Sequence, residues 1–335
     1  MARILIATDA WHPQVSGVVR TLEMTALVLR EWGHVVEIVE PTAYPSVPTP
    51  FYPEIPISYP RTGRVYERVL KFRPDYVHIS TEGTIGLMVR QFCRRMRWNF
   101  TTSYHTRFPE YLKKLAGVPE CVTYPFLKWF HGGAAMMMVA TPSLEKELVA
   151  RGFRPPIHRW SRGVDLGTFR PRPKVDSGHA RPVLLYVGRV SHEKGIDDFL
   201  KLETPGTKVI VGDGPARASL EKQYRDAVFL GYRSGQALGE AYAAADLFVF
   251  PSKTDTFGVV VIEALASGLP VAAYPVTGPG DIITNEKLGA CDPDLGAAVA
   301  RALATGDPAA CAAEGATYTW ENCTRQFLAN MVPLR

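Results

Sequence analysis

Residues 247–275, LFVFPSKTDTFGVVVIEALASGLPVAAYP, constrain the fold more than any other stretch. The unbroken apolar run Leu247 to Phe250 has the pattern of a strand buried on both faces, and Pro251-Ser252 ends it. A polar loop, Lys253-Thr254-Asp255-Thr256, leads into Phe257-Gly258. A helix is predicted from about Val259 to Ala266, stopped by Ser267-Gly268 with Pro270 just beyond, and the next strand starts at Val271. Such a unit opens its helix at the carboxyl end of a parallel strand. Free backbone N–H groups and the positive end of the helix dipole gather there, so anions dock there. Asp255 and Glu263 bracket the helix start. Taken alone they read equally well as a site or as an ordinary surface Asp and a helical Glu.

The same unit recurs along the chain. Residues 3–8 read as a strand, 21–32 as an amphipathic helix closed by Gly33, and 34–40 as a second strand. The loop between, 9–20, lacks G-x-G-x-x-G, which argues against a nicotinamide-type dinucleotide site. Gly17 stands where a helix begins and would let a phosphate or sugar approach the backbone, although a simple turn glycine is the plainer reading of that residue alone. Residues 41–63, rich in Pro and Tyr, read as irregular. Helices follow at 65–72 and 86–97, and strands at 76–80 and 100–104. His105 lies just past the carboxyl end of the last of these, well placed for a site, although a lone histidine is more often structural. A strand at 134–140 precedes a helix for which Ser143 is the expected N-cap. Residues 171–182, PRPKVDSGHARP, read as a linker.

Beyond the linker the pattern restarts. A strand at 182–190 carries Gly188-Arg189 at its end, followed by Glu193-Lys194-Gly195 and a helix at 196–201. A strand at 208–211 runs into Gly212-Asp213-Gly214-Pro215, then come a strand at 228–231, a helix at 234–245 and the stretch described first. The closing helix is read at 320–331. With 335 residues, 46% of them apolar, the chain is long enough for two domains with a core each. Two such domains are expected to turn the carboxyl ends of their sheets toward a shared cleft.

No apolar run reaches the eighteen residues a spanning helix needs, and residues 1–7 read as strand one rather than a leader. Five scattered cysteines without a C-x-x-C pattern read as reduced thiols of a cytoplasmic protein, with no metal cluster. Residues 61–130 hold thirteen Lys/Arg against five Asp/Glu. Arg90, Arg94, Arg95 and Arg97 alternate with apolar residues, and Lys113, Lys114 and Lys128 lie among Tyr111, Tyr124, Phe126 and Trp129. A basic face with aromatics suits an anionic membrane surface. The competing reading is a core with a solvated basic face, and no nucleic-acid-binding motif accompanies the charge.

Taken in order, several of these pieces resemble the retaining GT-B glycosyltransferases of family 4, also called glycosyltransferase group 1. They are Ser16-Gly17-Val18, Ser103-Tyr104-His105-Thr106, Gly163-Val164-Asp165 with Phe169, and Val187-Gly188-Arg189 with Glu193-Lys194-Gly195. Gly212-Asp213-Gly214-Pro215 and Pro251-Ser252 through Asp255-Thr256-Phe257-Gly258 to Glu263-Ala264 complete the set. The resemblance covers almost the whole chain. It implies an α/β fold of two Rossmann-like, doubly wound domains facing a cleft. Residues 1–172 would bind the acceptor, 173–315 the nucleotide-sugar donor, and 316–335 would form a helix packing back on the first domain.

The resemblance also implies roles. Arg189 and Lys194 would neutralise the departing diphosphate, such fixed charge being commonly the largest catalytic contribution. Asp255 would bind donor-sugar hydroxyls; the family commonly has Glu there, one methylene longer. Glu263 would bind the ribose, the backbone N–H groups of Phe257, Gly258 and Val259 would hold phosphate and sugar oxygens, and Tyr232 would lie beside the base. Gly17 would reach over the diphosphate and His105 would approach the sugar. No enzymic nucleophile stands out, so front-face substitution with retention is expected, without a metal; Asp292-Pro293-Asp294 is D-x-D only in letters. The expected enzyme is a hexosyltransferase. It would move a hexose or hexuronic acid, most readily from a UDP-linked donor such as UDP-glucose, to a lipid such as diacylglycerol, in glycolipid synthesis at the inner face of the cell membrane. A GDP-mannose-dependent mannosyltransferase or a polysaccharide-building enzyme is the second expectation. A sugar-nucleotide epimerase or a non-catalytic binding protein is the third.

Overall fold

The computed structural model describes residues 1–14, 16–48, 57–174 and 178–334, apart from the side chains of Tyr111, Lys114, Leu115 and Ala116. Val15, residues 49–56 of the Pro/Tyr-rich segment and residues 175–177 of the expected linker lie outside the described residues.

The chain forms two compact units, Met1–Arg162 with Trp320–Arg335, and Gly163–Thr319. In the first, β1 (Arg3–Ala7) is followed by β2 (Val35–Val39), and a small antiparallel ribbon joins β3 (Ser46–Val47) to β4 (Ile57–Ser58). The strands β5 (Tyr76–Ile79), β6 (Thr101–Tyr104), β7 (Met136–Val139) and β8 (Ile157–Arg159) complete a parallel sheet of order β2-β1-β5-β6-β7-β8. Alternate residues of β1 feed opposite faces, as the twofold repeat of a strand requires. Ile4 and Ile6 pack with Leu22, Leu29, Trp160 and Phe327, whereas Leu5 and Ala7 pack with Val65, Val69 and Val89. Helices thus cover both faces, which is why β1 is an unbroken apolar run.

The second unit repeats the architecture with β9 (Val183–Val187), β10 (Thr207–Val211), β11 (Val228–Gly231), β12 (Leu247–Phe250), β13 (Val271–Ala273) and β14 (Gly289–Cys291). Its parallel order is β11-β10-β9-β12-β13-β14. The order reverses between β9 and β12. In the first unit the reversal falls between β1 and β5.

Several boundaries differ from the sequence reading. The second unit begins at Gly163 rather than 173, because Val164 N–H donates to the Tyr318 carbonyl at 2.8 Å and the Phe169 ring meets Tyr242 edge-on at 5.5 Å. The helix expected at 21–32 spans Gly17–Glu31, because the Ser16 hydroxyl accepts from Val19 N–H at 3.3 Å and starts it earlier. The helix after β7, Pro142–Ala150, is capped by Thr141 rather than Ser143; Pro142 occupies the first turn, where its missing N–H costs nothing. Two helices, Phe108–Ala116 and Glu120–His131, occupy the basic, aromatic segment whose helical character went unread.

The final helix, Trp320–Ala329, packs on the first unit. Phe327 is fully buried, with its ring 4.7 Å from Trp160 and 5.0 Å from His78. Replacing Phe327 by Ala is expected to cost about 3–5 kcal/mol in urea unfolding, through lost burial plus the cavity left behind. A cost below about 1 kcal/mol would show that this helix is not part of the core.

Candidate functional site

At the reversal in the second sheet, the chain leaves β9 through Gly188-Arg189 and leaves β12 through residues 251–258. Ligands of open parallel sheets bind where two neighbouring strands send their connections apart. The turn 192–195 lies against the β12 loop because Gly195 has φ +73° and no side chain; a Cβ there would come 2.3 Å from the Pro251 carbonyl oxygen. That approach brings Lys194 Nζ to 2.7 Å from Asp255 Oδ1, with both side chains half-buried. Tyr186, in β9, donates its hydroxyl to the Arg189 carbonyl at 2.7 Å and fixes the end of the strand. Burial pushes its phenol upward, and Asp255 and Glu193 add to the effect. Ser191 donates to Glu193 Oε1 at 2.7 Å in the same turn.

The helix Val259–Ala266 starts from Gly258 at φ +82° and has no side-chain cap. Val261 N–H already bonds the Gly258 carbonyl at 2.9 Å, so the amides of Val259 and Val260 form the open mouth. Phe257 is buried edge-on against Tyr318. One turn further, Glu263 accepts from the Tyr242 hydroxyl at 2.9 Å. Burial, then Glu263, drives the Tyr242 phenol well above its ordinary value, so it remains a proton donor. Tyr232 is exposed beyond the end of β11.

The structure therefore brings Arg189, Lys194, Asp255 and the amides after Phe257 to one end of one sheet, with Glu263 on the same short helix. The sequence reading missed Tyr186 and Tyr242, which hold this end; as apolar-run and helix residues they give no signal of it. It also missed Lys253, paired with Asp198 at 3.1 Å and lying over the Tyr274 ring. Both carboxylates of Asp292-Pro293-Asp294 are engaged in the fold. Asp292 pairs with Arg301 at 2.8 Å, and Asp294 caps the helix Leu295–Thr305. Among the described residues, no group of three or more His, Cys, Asp or Glu side chains is arranged to hold a metal ion.

In the first unit, Gly17 opens its helix and His105 follows β6. His105 sits in a chain of buried side chains. Thr101 Oγ1 meets His78 Nδ1 at 2.9 Å, His78 Nε2 meets Ser103 Oγ at 3.0 Å, and Ser103 Oγ meets His105 Nε2 at 2.9 Å. Arg162 Nη2 lies 2.9 Å from His105 Nδ1. A guanidinium only donates, so His105 carries its proton on Nε2 and donates to Ser103. Burial, reinforced by Arg162, holds His105 well below the usual histidine range. His78 is pushed down to about 3 by burial, and Arg162 down to about 10 by the same cause. The expected approach of the His105 ring to a sugar is therefore not offered through either ring nitrogen, because side chains occupy both.

The basic segment also differs from expectation. Arg90 is buried, donates to the carbonyls of Phe130 (2.7 Å) and Trp129 (2.6 Å), and lies 3.9 Å over the Trp129 ring. It is a packing residue rather than part of an exposed face. Arg94, Arg95 and Arg97 are exposed.

Two family descriptions match the chain, Glycosyltransferase Family 4 over residues 15–168 and Glycosyl transferases group 1 over 181–306. A GDP-mannose-dependent alpha-mannosyltransferase of Mycobacterium tuberculosis is 32% identical over 86% of the chain and 82% of its own length. The chain belongs to glycosyltransferase family 4. Within the family, sulfoquinovosyl transferase of Arabidopsis thaliana is 30% identical over 73% of the chain and 51% of its length. The alpha-monoglucosyldiacylglycerol synthase of Streptococcus pneumoniae is 27% identical over 90% of the chain and 78% of its length. Sucrose-phosphate synthase from Thermosynechococcus elongatus shares the fold with TM-score 0.75 at 20% identity, covering 98% of each chain. Anabaena HepE in complex with UDP-glucose does so with TM-score 0.68 at 15% identity, covering 98% of this chain and 99% of its own. This family 4 member is a hexosyltransferase with the GT-B fold.

The buried histidines make a pH prediction. His78 stays neutral in the folded chain down to about pH 3, but an unfolded histidine takes a proton near pH 6.5. Below about pH 6.5 the unfolded state binds more protons, so stability is present above that pH and is lost as pH falls toward 3. Each such histidine contributes a slope of about 1.4 kcal/mol per pH unit. Urea midpoints measured between pH 7 and pH 4 should fall less steeply for His78→Gln than for the wild-type chain; parallel slopes would contradict the assignment.

Proposed function

We propose that this family 4 enzyme transfers a mannosyl group from GDP-mannose to a hydroxyl of a lipid acceptor, with retention of anomeric configuration and without a metal ion. The observation that carries the transfer chemistry is the Lys194–Asp255 contact at 2.7 Å beside Arg189, at the strand-order reversal of the second sheet. Arg189 and Lys194 would meet the diphosphate, whose developing negative charge is stabilised by preorganised cations. Asp255 would hold sugar hydroxyls while keeping Lys194 extended, Glu263 the ribose, the amides at Phe257, Gly258 and Val259 the phosphate and sugar oxygens, and Tyr232 the face of the base. Gly17, at a helix start, would let the diphosphate approach the backbone. In the transfer, the C1–oxygen bond to the diphosphate breaks, the acceptor oxygen bonds C1 from the same face, and its proton passes to the departing phosphate. His105, with both ring nitrogens engaged, would position the end of β6 rather than move a proton.

The sequence alone favoured a UDP-linked donor and placed GDP-mannose second. The likeness to the mycobacterial mannosyltransferase, which extends over both units, supports the opposite order. The likeness to the diacylglycerol-glycolipid synthase supports a lipid acceptor. So does the helix Glu120–His131, which exposes Val122 and Trp129 beside Lys128 and suits the anionic inner face of a cell membrane. No helix among the described residues is long and apolar enough to cross a membrane, so peripheral contact is the form proposed.

The test is incubation with radiolabelled GDP-mannose, UDP-glucose or UDP-glucuronate and dioleoylglycerol in mixed micelles, followed by separation of the lipids. Labelled lipid from GDP-mannose is expected. Label from a UDP-sugar instead would overturn the donor, and no labelled lipid from any donor would overturn the acceptor. Lys194→Ala and Arg189→Ala should each lower kcat by about 10²-fold or more at an unchanged melting temperature; unaltered rates would remove them from the site.

A further inference from the structure

The first unit has its own strand-order reversal, between β1 and β5, and its chemistry is not absorbed by the roles above. Two carboxylates arrive there. Asp9, just past β1, is consumed by the fold: its oxygens accept from the N–H groups of Ile85 (2.7 Å) and Gly86 (3.2 Å) and from the hydroxyls of Thr81 (2.9 Å) and Thr84 (3.3 Å). It caps the helix Thr84–Met96. Gly83 has no side chain to keep it out; a Cβ there would come 2.4 Å from the Asp9 carboxyl carbon.

Glu82, just past β5, is held differently. His131 Nε2 lies 3.1 Å from Glu82 Oε1, and the His131 side chain is fully buried. A carboxylate only accepts, so Nε2 carries the proton, while Nδ1 meets Thr102 Oγ1 at 2.9 Å. Thr102 thus fixes the His131 ring through Nδ1, and Nε2 fixes one oxygen of Glu82. Among the described residues no other hydrogen bond holds Glu82, and its side chain keeps 18% of its surface exposed. Half-burying a carboxylate against a buried imidazole is a poor source of stability compared with apolar packing. It is a good way to fix a hydrogen-bond acceptor at the mouth of a parallel sheet. The adjacent strand, β6, is followed by His105, whose ring nitrogens are taken by Ser103 and Arg162.

We infer that Glu82, oriented by His131, is the acceptor-side hydroxyl-binding residue of this enzyme, taking a hydrogen bond from an alcohol group of a polyol acceptor. The inference rests on the transferase reading above but not on the acceptor being a lipid. Glu82 binds and aligns the hydroxyl; the proton released on transfer still leaves with the phosphate.

Glycerol, the smallest polyol, serves as the probe. The full-length protein is incubated in concentrated glycerol with whichever of GDP-mannose, UDP-glucose and UDP-glucuronate it cleaves, and the ratio of glyceryl glycoside to free sugar is measured. The ratio is internal to each turnover, so a general loss of activity or of folded protein cancels. Glu82→Gln and Glu82→Ala should lower it at least tenfold, and His131→Gln should lower it in the same direction by less. An unchanged ratio in both Glu82 variants overturns the inference, as does a wild-type protein that makes no glyceryl glycoside. Absence of labelled lipid in the dioleoylglycerol assay would overturn the lipid reading while leaving this ratio to decide the role of Glu82.

Discussion

The reversal of strand order between β9 and β12 is the constraint on which the chemistry of the second unit depends. Because the connections from these neighbouring strands run to opposite sides, a crevice is left between their carboxyl ends. Gly195 lets the turn after β9 touch the loop after β12, and the contact positions Lys194 on Asp255. A half-exposed ion pair of this kind contributes little to folding stability. Its value lies in holding an ammonium and a carboxylate in place before a ligand arrives, so that little reorganisation is needed when charge develops. Tyr186 and Tyr242 serve the same end from below, one bonding the Arg189 carbonyl and the other Glu263, and both keep their protons through burial.

The two units solve opposite electrostatic problems with the same architecture. The second sheet ends in exposed or half-exposed cations and uncapped amides, suited to a polyanion. The first ends in histidines kept neutral by burial, His78 and His105, and in carboxylates tied to a helix start or to a buried imidazole. Apart from the helix start at Gly17 and the buried Arg162 guanidinium beside His105, the groups described there are carboxylates, hydroxyls and neutral imidazoles. The two strand-end clusters thus differ in charge, as the proposed division between donor and acceptor requires.

Much of this was legible in the residues, for physical reasons that differ by element. Leu247–Phe250 and residues 4–7 announce themselves because strands covered on both faces must be apolar throughout. Lys194 and Asp255 could be brought together only through the resemblance, since 61 residues separate them and no spacing rule joins them. Helix starts were misplaced at Gly17 and Thr141 because a cap is decided by one hydroxyl geometry, which neighbouring Ser and Thr residues mimic in sequence. Arg90 looked like surface charge because composition cannot tell an exposed guanidinium from one laid across Trp129. Glu82 and His131 carried no signal at all: each is an isolated residue until β5 and the helix before β7 bring them within 3.1 Å.

Hydrogen–deuterium exchange with and without GDP-mannose tests the central claim most directly. Protection is expected in residues 188–195 and 255–262, the loops at the reversal, because the donor's phosphates would take the open amides at the start of the helix Val259–Ala266 and the bound donor would exclude solvent from both loops. Protection absent from both loops, with the nucleotide sugar demonstrably bound, would contradict the account.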